Sequence, residues 1–425
     1  MTPPPGPTSS ETGAAASRRI VIVGAGIAGV SAAEAARQAD PGARITLVSD
    51  EADLPYYRLN LTKYVAGEVG RDDLPLHPRS WYEERAIALR LGVRVTAIAP
   101  DGGTAAIDGG GSLPFDRLVL ATGARPAVPP IEGTDLDGVT CLRTRADAER
   151  VLAGPPGDGS LADRPCVVIG GGLLGLETAA ALRRHGARVT VVEGLAYLMP
   201  LQLTPEAAEV LQGHIEGMGI AVRTGTMTAS LAGEGRVREA VMADGSRLAA
   251  DLVVINTGVA ANVALAEEAG LETRDGVVVD DRLATSHPHV FAAGDGAEHA
   301  GTLYGLWLAS RVQGRTAGRA AAGEEDATFT GIPPAYILKV VDVDVFSIGT
   351  VAPEDPACQV VEGRTDGTYR RFVFRDGRLV GAILLGDTSA MPAARKAIGE
   401  GTDLSGLVDQ SLSAEDLARG LAEAV

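Results

Sequence analysis

One stretch near the amino terminus constrains the fold of this chain more than any other. An apolar run from Arg19 to Val23 leads directly into the pattern Gly-x-Gly-x-x-Gly, formed by Gly24, Gly26 and Gly29. The β-branched run predicts a buried parallel strand, and the alanine-rich residues that follow predict a helix. The glycines are therefore expected on a strand-to-helix turn, where the helix N-terminus offers free N–H groups to a diphosphate.

A second predicted strand, residues 45–49, ends at two acidic residues. Asp50 and Glu51 follow it, at the position where an acid binds the ribose of a dinucleotide. Strand, glycine turn, helix and acid together favour a dinucleotide-binding unit. The alternative is an alanine- and glycine-rich turn in some other α/β protein.

The opening pattern recurs further along the chain, so a whole nucleotide-binding unit is repeated. An apolar strand at residues 166–169 runs into Gly170, Gly172 and Gly175, and the next strand ends at Glu193. A carboxylate at that position accepts hydrogen bonds from a ribose 2′-hydroxyl and repels a 2′-phosphate. The second unit is therefore predicted to prefer NADH to NADPH.

Other strand ends carry small or polar residues that are typical of nucleotide sites. They are Ala121-Thr122-Gly123 with Arg125 close behind, Thr257-Gly258, and Gly294-Asp295. Strands alternating with helices predict an α/β protein with two doubly wound, Rossmann-like sheets. Residues 329–425 alternate in hydropathy and contain a hairpin signal at Asp376-Gly377, which predicts a small α+β domain.

Composition and charge exclude several classes of function. The formal charge of −17 opposes binding to bulk nucleic acid or to an anionic membrane surface. The three cysteines, Cys141, Cys166 and Cys358, lie far apart, which excludes a dithiol motif or a zinc ribbon and suits a reducing cytoplasm. No metal site is predicted, no apolar run approaches membrane-spanning length, and residues 1–17 are expected to form a disordered tail.

The two dinucleotide units, the Ala-Thr-Gly strand end between them and the late Gly-Asp pair resemble the FAD- and NAD(P)H-dependent pyridine-nucleotide reductases. Residues 55–63, the segment from Trp307 to Gln313-Gly314, and residues 338–349 are similar to one branch of that superfamily. This branch comprises the rubredoxin and ferredoxin reductases and the flavin-binding front part of assimilatory nitrite reductase large subunits.

The resemblance implies an FAD domain that is interrupted by an NAD domain. Its expected limits are a tail at 1–17, FAD-binding segments at 18–125 and 251–328, an NAD(P)H-binding domain at 126–250, and the α+β domain at 329–425. The first glycine motif agrees with FAD rather than FMN, because FMN has no adenosine diphosphate to lie across it.

The resemblance also implies which residues hold each cofactor. FAD would be held by Gly24, Gly26, Gly29, Asp50 or Glu51, Arg58, Lys63, Ala121, Thr122, Gly123, Arg125 and Asp295. The nicotinamide nucleotide would be held by Gly170, Gly172, Gly175, Glu193 and Gly258. Trp307 is expected either beside the flavin or in the plain core, with equal weight.

Lys63 and Glu177 are predicted to be the catalytic pair, because the family places these positions beside the flavin ring. They are expected to pair with each other near the flavin N5 edge and to set the approach of the nicotinamide. The alternatives are a solvated lysine and an acid that the dipole of its helix favours.

Three functions remain open at this level. The first is a reductase that passes electrons from NADH through FAD to a small redox protein of the rubredoxin or ferredoxin type, or to a partner enzyme subunit. The second is direct reduction of nitrite, a quinone or O₂ at the flavin, although Asn60-Leu61-Thr62 stands where thiol-dependent relatives carry a cysteine. The third is a flavin-bound subunit of a larger assembly; a homodimer is also left open.

Several arginines surround the predicted C-terminal hairpin. A two-residue turn at Asp376-Gly377 would place Arg375 opposite Arg378, with Arg371 on the same face as Arg375. This group is either a solvated hairpin tip or a docking patch for an acidic electron carrier.

Overall fold

The computed structural model describes residues 17–155, 159–338, 343–365, 367–408 and 412–425. Most of the predicted disordered tail, residues 1–16, and residues 339–342 of the resemblance motif at 338–349 lie outside the described residues.

The described chain alternates strands and helices over its first three quarters and is richer in antiparallel strands after that. The strands are β1 (Arg19–Val23), β2 (Arg44–Val48), β3 (Ile87–Arg90), β4 (Val95–Ala99), β5 (Thr104–Ile107), β6 (Ser112–Pro114), β7 (Arg117–Leu120), β8 (Ala124–Pro126), β9 (Val139–Cys141), β10 (Pro165–Ile169), β11 (Arg188–Val192), β12 (Ala221–Arg223), β13 (Thr228–Ala232), β14 (Glu239–Met242), β15 (Arg247–Ala249), β16 (Leu252–Ile255), β17 (Val259–Ala261), β18 (Val277–Val279), β19 (Val290–Ala292), β20 (Ala297–His299), β21 (Thr302–Leu303), β22 (Ala335–Leu338), β23 (Val345–Gly349), β24 (Gln359–Thr365), β25 (Thr368–Arg375) and β26 (Arg378–Leu385). The helices are α1 (Ile27–Ala39), α2 (Leu61–Val65), α3 (Arg79–Glu84), α4 (Arg145–Ala153), α5 (Leu173–Arg184), α6 (Pro205–Gly217), α7 (Ala264–Glu268), α8 (Trp307–Ala322), α9 (Met391–Glu400), α10 (Ser405–Val408) and α11 (Ala414–Ala424), with short 3₁₀ turns at Arg58–Asn60 and Arg71–Asp73.

The first sheet contains the opening motif at its centre. Its order is β19-β7-β1-β2-β3 and its pairs are parallel, with Val23 aligned to Val48 on one side and to Leu120 on the other. Strands from both ends of the unit therefore build one sheet, since β19 lies far beyond β7 in sequence. This pairing explains why the core of the sheet is almost wholly apolar and buried on both faces.

Helices α1 and α8 cover this sheet together and approach each other closely. A Cβ at Gly314 would lie 2.2 Å from the carbonyl oxygen of Ala28, and one at Gly318 would lie 2.2 Å from that of Ala32. Two glycines spaced four residues apart fall on one face of α8, so the backbones of the two helices can touch. This contact ties the late segment of the chain to the first glycine turn.

The second sheet repeats the arrangement, with order β12-β11-β10-β16-β9 and parallel pairing. The expected limit between residues 250 and 251 assigns β16 to the FAD unit, but Leu252 pairs with Cys166 in this second sheet. A short apolar strand carries no mark of the sheet that it joins, so sequence alone misplaced this limit by one strand. The other domain limits remain predictions.

The chain leaves and re-enters the first unit through two paired strands. Strands β8 and β17 run antiparallel, with Arg125 opposite Ala260. Smaller antiparallel sheets, β4-β5-β6 and β13-β14-β15, are attached to the two parallel sheets, and β18, β20 and β21 form a further mixed sheet. The arrangement confirms the predicted α/β class.

The C-terminal segment is the predicted α+β domain. Its sheet has order β22-β23-β26-β25-β24, all antiparallel. One face buries Phe372 and Phe374 under α9 and α11, and the other face buries Tyr369 and Ile383 in the same cluster as α6 of the second unit. Side chains on the two faces of β25 therefore pack into two different hydrophobic clusters.

Candidate active site

The first glycine turn is built so that two of its glycines are required by packing and one faces open space. Gly24 has φ +102°, and a Cβ there would lie 2.1 Å from the carbonyl oxygen of Ala121. A Cβ at Gly29 would lie 1.9 Å from the carbonyl oxygen of Gly24, whereas one at Gly26 would meet no atom within 4 Å. Helix α1 begins just after Gly26 with no side-chain cap, so its first N–H groups are available to an anionic ligand.

A cavity of about 900 Å³ opens in front of this turn. The predicted residues that line it are Gly24, Gly26, Asp50, Glu51, Arg58, Ala121, Thr122, Gly123, Arg125 and Asp295. Its lining residues follow the ends of β1, β2 and β7 and include Ser310 of α8. A dinucleotide such as FAD binds across the carboxyl ends of parallel strands, so the position of the cavity suits such a ligand.

The structure distinguishes the two acids at the end of β2. The Asp50 side chain is 55% exposed and pairs with Arg94, whereas the Glu51 side chain is 23% exposed. Glu51 accepts a hydrogen bond from the Tyr56 hydroxyl at 2.6 Å and forms an ion pair with Arg58. Of the two acids, Glu51 is therefore the one whose side chain is held in a defined position in the cavity.

Tyr56 and Arg58 connect this acid to the segment that opens the second unit. The backbone N–H of Arg145 donates to the Tyr56 hydroxyl at 3.0 Å, and Arg58 donates to the carbonyl oxygen of Arg143 at 2.9 Å. Burial raises the pKa of the Tyr56 hydroxyl well above its usual value, so the group stays protonated and keeps donating to Glu51.

Asp295 has a partner that sequence reasoning missed. Arg143 lies 2.7 Å from its carboxylate, and the Ser310 hydroxyl donates to the same carboxylate at 3.0 Å. Arg143 precedes the Thr144–Asp147 capping box of α4 and follows no nucleotide motif, so only its position in space marks it as a cavity residue. Thr122 is held by reciprocal hydrogen bonds with Asn262, each at 2.9 Å.

The second glycine turn repeats the geometry of the first. A Cβ at Gly170 would lie 2.3 Å from the carbonyl oxygen of Asn256, and one at Gly175 would lie 1.9 Å from that of Gly170. A Cβ at Gly172 would again meet nothing within 4 Å. The two glycine turns are therefore alike in their close backbone contacts as well as in their sequence pattern.

Glu193 is fixed by backbone groups. Its two oxygens accept hydrogen bonds from the N–H of Gly171 at 2.7 Å and from the N–H of Leu195 at 2.8 Å. These two hydrogen bonds fix the orientation of the side chain at the end of β11.

A second cavity, of about 910 Å³ and with a mainly apolar lining, opens beside this turn. The predicted residues that line it are Gly170, Gly172, Glu193, Gly258 and Trp307. Gly29, Gly175, Lys63 and Glu177 line neither cavity; the two glycines lie behind the turns, where packing requires them.

The two cavities share a wall. At four places one residue lines the first cavity and its neighbour in the chain lines the second: Arg58 and Leu59, Val128 and Pro129, Ile255 and Asn256, and Ser310 and Ala309. Ligands in the two cavities would therefore meet at this wall, which is the arrangement that transfer of a hydride between two cofactors requires.

The predicted ion pair between Lys63 and Glu177 is absent from the described residues. The hydroxyl of Thr62 donates to the Glu177 carboxyl at 2.9 Å instead. Burial raises the pKa of Glu177 to about 7, and the nearby positive charge of Lys63 opposes that rise. Glu177 lies one helical turn beyond Leu173 and Leu174, which line the second cavity, so its place beside a flavin remains a prediction.

Trp307 begins α8 at the shared wall. Its ring stacks on Tyr57 with centroids 6.1 Å apart, and its indole N–H is buried with no hydrogen-bond partner. A buried donor without a partner is costly, so this N–H is suited to an acceptor on a bound ligand. Trp307 is therefore a cavity residue rather than part of the plain core.

Two of the three cysteines are poorly suited to nucleophilic chemistry. Burial raises the pKa of the Cys166 thiol to about 12 and also raises that of Cys141. Cys141 lines the first cavity, and none of the three cysteines lines the second. Over the described ranges, no group of three or more His, Cys, Asp or Glu residues is arranged to hold a metal ion, and no helix is long and apolar enough to cross a bilayer.

The C-terminal hairpin has the predicted turn but is not a basic patch. Asp376 and Gly377 have φ values of +49° and +70°, and Arg375 lies opposite Arg378. The neighbouring arginines are nevertheless paired with acids: Arg364 with Glu209, Arg370 with Asp387, Arg371 with Glu362, and Arg375 with Asp355. Charge neutralisation by residues from other elements agrees with the solvated-hairpin alternative.

Comparison with known proteins agrees with this geometry. Sequence models match a pyridine nucleotide-disulphide oxidoreductase over residues 18–318 and the rubredoxin NAD+ reductase C-terminal domain over residues 334–402. The chain is 35% identical over 375 residues to a nitrite reductase [NAD(P)H] of Bacillus subtilis, covering 88% of this chain and 46% of that protein. It is 35% identical over 291 residues to a rubredoxin-NAD(+) reductase of Pseudomonas putida, covering 68% of this chain and 74% of that protein.

The fold is shared with a solved structure over almost its whole length. The reductase in a covalent putidaredoxin reductase–putidaredoxin complex superposes with a TM-score of 0.85 at 27% identity, covering 96% of this chain and 99% of that one. The chain spans about half the length, or less, of the first nitrite and nitrate reductase proteins that it matches. These matches confirm the resemblance inferred from the motifs, and FAD and NAD(P)H are the cofactors of the matched family. The chain belongs to the pyridine nucleotide-disulphide oxidoreductase family.

Proposed function

We propose that this protein is a flavoprotein reductase that takes a hydride from NADH onto FAD and passes the electrons to a small iron–sulfur or rubredoxin-type protein. The observation that carries the proposal is the wall shared by the two cavities, each of which faces its own glycine turn. FAD supplies the ability to accept a hydride and to release electrons one at a time. The net reaction is NADH plus two oxidised carriers giving NAD⁺, one proton and two reduced carriers.

The residues of the first cavity fit FAD in three ways. The uncapped start of α1 suits the diphosphate, Glu51 suits a ribose hydroxyl, and Asp295 lies at the end of the sheet where the rest of the cofactor would continue. Arg143 and Arg58 would keep these two acids oriented.

The residues of the second cavity fit a nicotinamide nucleotide. The N-terminus of α5 suits the diphosphate, and the fixed carboxylate of Glu193 suits an unphosphorylated ribose. The apolar lining excludes water from the place where the nicotinamide would meet the shared wall, and Trp307 would orient it.

Two considerations support a protein acceptor over the alternatives. No cysteine lines the second cavity, and burial raises the pKa of Cys141, which lines the first; both observations disfavour thiol and peroxide chemistry. A rubredoxin reductase and the reductase of a putidaredoxin complex are among the proteins to which the chain is similar. A cytoplasmic location belongs to the same proposal, because three unpaired cysteines suit a reducing compartment.

The test is anaerobic reduction followed by offering acceptors singly. NADH should bleach the flavin absorbance of the purified protein, and adding rubredoxin or a [2Fe–2S] ferredoxin should restore it. Restoration by nitrite, a quinone or air at a higher rate than by either carrier would replace the proposal with direct reduction of a small molecule. Failure of NADH to bleach a bound flavin would favour a non-catalytic subunit.

A further inference from the structure

One buried polar side chain of α8 reaches the turn that follows β19. Gln313 is fully buried, and its side-chain oxygen accepts a hydrogen bond from the backbone N–H of Gly294 at 2.9 Å. Gly294 lines the first cavity, whereas Gln313 lines neither cavity. Gln313 therefore contacts the wall of the first cavity from behind.

The turn at Gly294 has a conformation that depends on its surroundings. Its φ of +88° lies in a region that L side chains rarely adopt, and a Cβ there would lie 2.9 Å from the Cβ of Ala28. The Gly294 carbonyl oxygen accepts a hydrogen bond from the N–H of Ala297 at 3.0 Å, while its N–H donates to Gln313. Because a buried backbone N–H without a partner is costly, the oxygen of Gln313 stabilises this particular turn.

Asp295 is the next residue, and its carboxylate is held by two other side chains. The Ser310 hydroxyl donates to it at 3.0 Å, and Arg143 lies 2.7 Å from it. Ser310 precedes Gln313 by three positions on α8, so both side chains leave the same face of the helix. One helix face therefore holds the side chain of Asp295 through Ser310 and the backbone before it through Gln313.

The position of Gln313 is set by the close contact between α1 and α8. Gly314 is its neighbour in the chain, and a Cβ at Gly314 would lie 2.2 Å from the carbonyl oxygen of Ala28. The two helix backbones thus touch directly beside Gln313. The distance that the side chain must span to Gly294 is therefore fixed by backbone packing, and the length of a glutamine matches it.

The two ends of the Gln313 carboxamide differ. Its oxygen contacts Gly294, whereas its nitrogen is buried and has no hydrogen-bond partner among the described residues. A buried polar group that is only partly satisfied costs stability, and an apolar side chain would fill the same place without that cost. Packing alone therefore does not account for a glutamine here, but its oxygen contact with the turn does.

We propose that Gln313 is a positioning residue for FAD that acts through Gly294 on Asp295. It holds the turn so that the Asp295 carboxylate, oriented by Ser310 and Arg143, faces the first cavity. The proposal rests on the proposed function, which assigns the first cavity to FAD, and adds a residue that lies outside that cavity. Gln313 contributes to cofactor binding without touching the cofactor.

The test is the dissociation constant of FAD, measured by titrating the apoprotein and following the quenching of flavin fluorescence. Gln313→Met keeps the length of the side chain but offers Gly294 only a weak thioether acceptor. We expect it to raise the dissociation constant about tenfold, because a buried N–H loses its partner. Gln313→Glu keeps an oxygen acceptor and loses only the nitrogen without a partner. It should bind FAD more tightly than Gln313→Met, even where a buried carboxyl lowers its Tm further.

Two further variants separate positioning from a general effect on stability. Thr316→Val is the matched control, because Thr316 is a buried polar residue on the same helix that lines neither cavity. This variant should bind FAD like wild type. In the Asp295→Ala background, adding Gln313→Met should not weaken FAD binding further, because residues that act through one group are not additive.

Two results would overturn the proposal. One is equal FAD binding by wild type and Gln313→Met, and the other is an undiminished effect of Gln313→Met in the Asp295→Ala background. Should Gln313→Met fail to fold, Gln313→Asn takes its place with the same expectation, because its shorter side chain withdraws the oxygen from Gly294.

The outcomes also separate the role of Gln313 from the function on which it rests. If the wild-type apoprotein binds no FAD, the proposed function fails and the role of Gln313 with it. If wild type binds FAD but passes electrons from NADH to no carrier, the proposed function is refuted while the role of Gln313 stands. If the carrier is reduced and the Gln313 variants bind FAD like wild type, only the role of Gln313 is refuted.

Discussion

The two dinucleotide units have the same glycine geometry but hold the acid after their second strand by different means. In the first unit, Glu51 is positioned by the side chains of Tyr56 and Arg58. In the second unit, Glu193 is positioned by two backbone N–H groups of its own turn. The position of Glu51 therefore depends on tertiary contacts, whereas the position of Glu193 depends on hydrogen bonds within its own turn.

This difference matches the proposed roles of the two cavities. Tyr56 and Arg58 also bind the backbone at Arg145 and Arg143, so the first site is closed by a segment of another unit. Such tethering suits a cofactor that stays bound through the catalytic cycle. A site whose acid needs only its own turn suits a nucleotide that must enter and leave on every turnover.

The largest effects are expected from matched substitutions at Gly26 and Gly172, the two glycines that face open space, and they test whether the two units hold different cofactors. Gly26→Asp and Gly172→Asp place a carboxylate where a Cβ meets no atom within 4 Å, so the fold should accept both. A like charge against a diphosphate costs several kcal/mol, or about 100-fold or more in affinity. We expect Gly26→Asp to be purified without flavin, whereas Gly172→Asp retains flavin and shows a KM for NADH raised to that extent. Visible absorbance and steady-state kinetics check this; loss of flavin from both variants would contradict the division of roles.

The second prediction concerns nucleotide choice and should apply to one unit only. Wild type is expected to prefer NADH, and Glu193→Gln should lower the ratio of kcat/KM for NADH to that for NADPH by about tenfold, because it removes the charge that repels a 2′-phosphate. Glu51→Gln is the control and should leave that ratio unchanged. A wild-type preference for NADPH would reject the role of Glu193.

The contact between the units provides a pH-dependent prediction. Burial raises the pKa of Glu177 to about 7 in the folded protein. The folded state therefore keeps a proton that the unfolded chain releases near its ordinary pKa, so this group's contribution to stability is full below that value and is lost as the pH rises to about 7. Between pH 5 and pH 8, wild type should lose about 2–4 °C more in Tm than Glu177→Gln does.

A second variant, Lys63→Met, tests the pKa of Glu177 from the first unit. The charge of Lys63 lowers the pKa of Glu177, so its removal should move the loss of stability to higher pH. The same variant should retain FAD but slow flavin reduction by NADH in stopped-flow experiments. Unchanged reduction would remove Lys63 from the catalytic assignment, while an unshifted pH profile would show that it does not act on Glu177.

The smallest expected effect comes from removing the hydrogen bond between Tyr56 and Glu51. Tyr56→Phe removes the hydroxyl that donates to Glu51 and accepts from the N–H of Arg145. Loss of such hydrogen bonds costs about 1 kcal/mol, or roughly fivefold in affinity. The dissociation constant of FAD from the apoprotein should rise by that factor with the KM for NADH unchanged. The control is Tyr304→Phe, because Tyr304 packs edge-on against Phe329 and lines neither cavity.

Several features of the site could not be predicted from sequence. Asp50 and Glu51 are adjacent acids after the same strand, and only the packing of Tyr56 and Arg58 distinguishes them. The predicted partner of Glu177 was Lys63, but the Thr62 hydroxyl is the group that reaches its carboxyl. Neighbours on one short helix project in different directions, so sequence proximity does not select among them.

The C-terminal hairpin contains one feature that the sequence predicts and one that it does not. The turn at Asp376-Gly377 and the opposed Arg375 and Arg378 follow from local backbone geometry and were predicted correctly. The sequence could not decide between a solvated hairpin tip and a docking patch, because the acids that neutralise the arginines include Asp355 and Asp387, which reach them from outside the turn.

The sequence by itself determined the two glycine turns, their strands and helices, and the acid after each second strand, because sterics and hydrogen bonding among consecutive residues decide these features. The tertiary structure alone decided that β16 joins the second sheet, that Arg143 meets Asp295 across 152 positions, and that Leu59 and Leu201 line one cavity with Trp307. Those contacts depend on how buried surfaces pack together, and residues far apart in the chain carry no local signal of the neighbours that packing will give them.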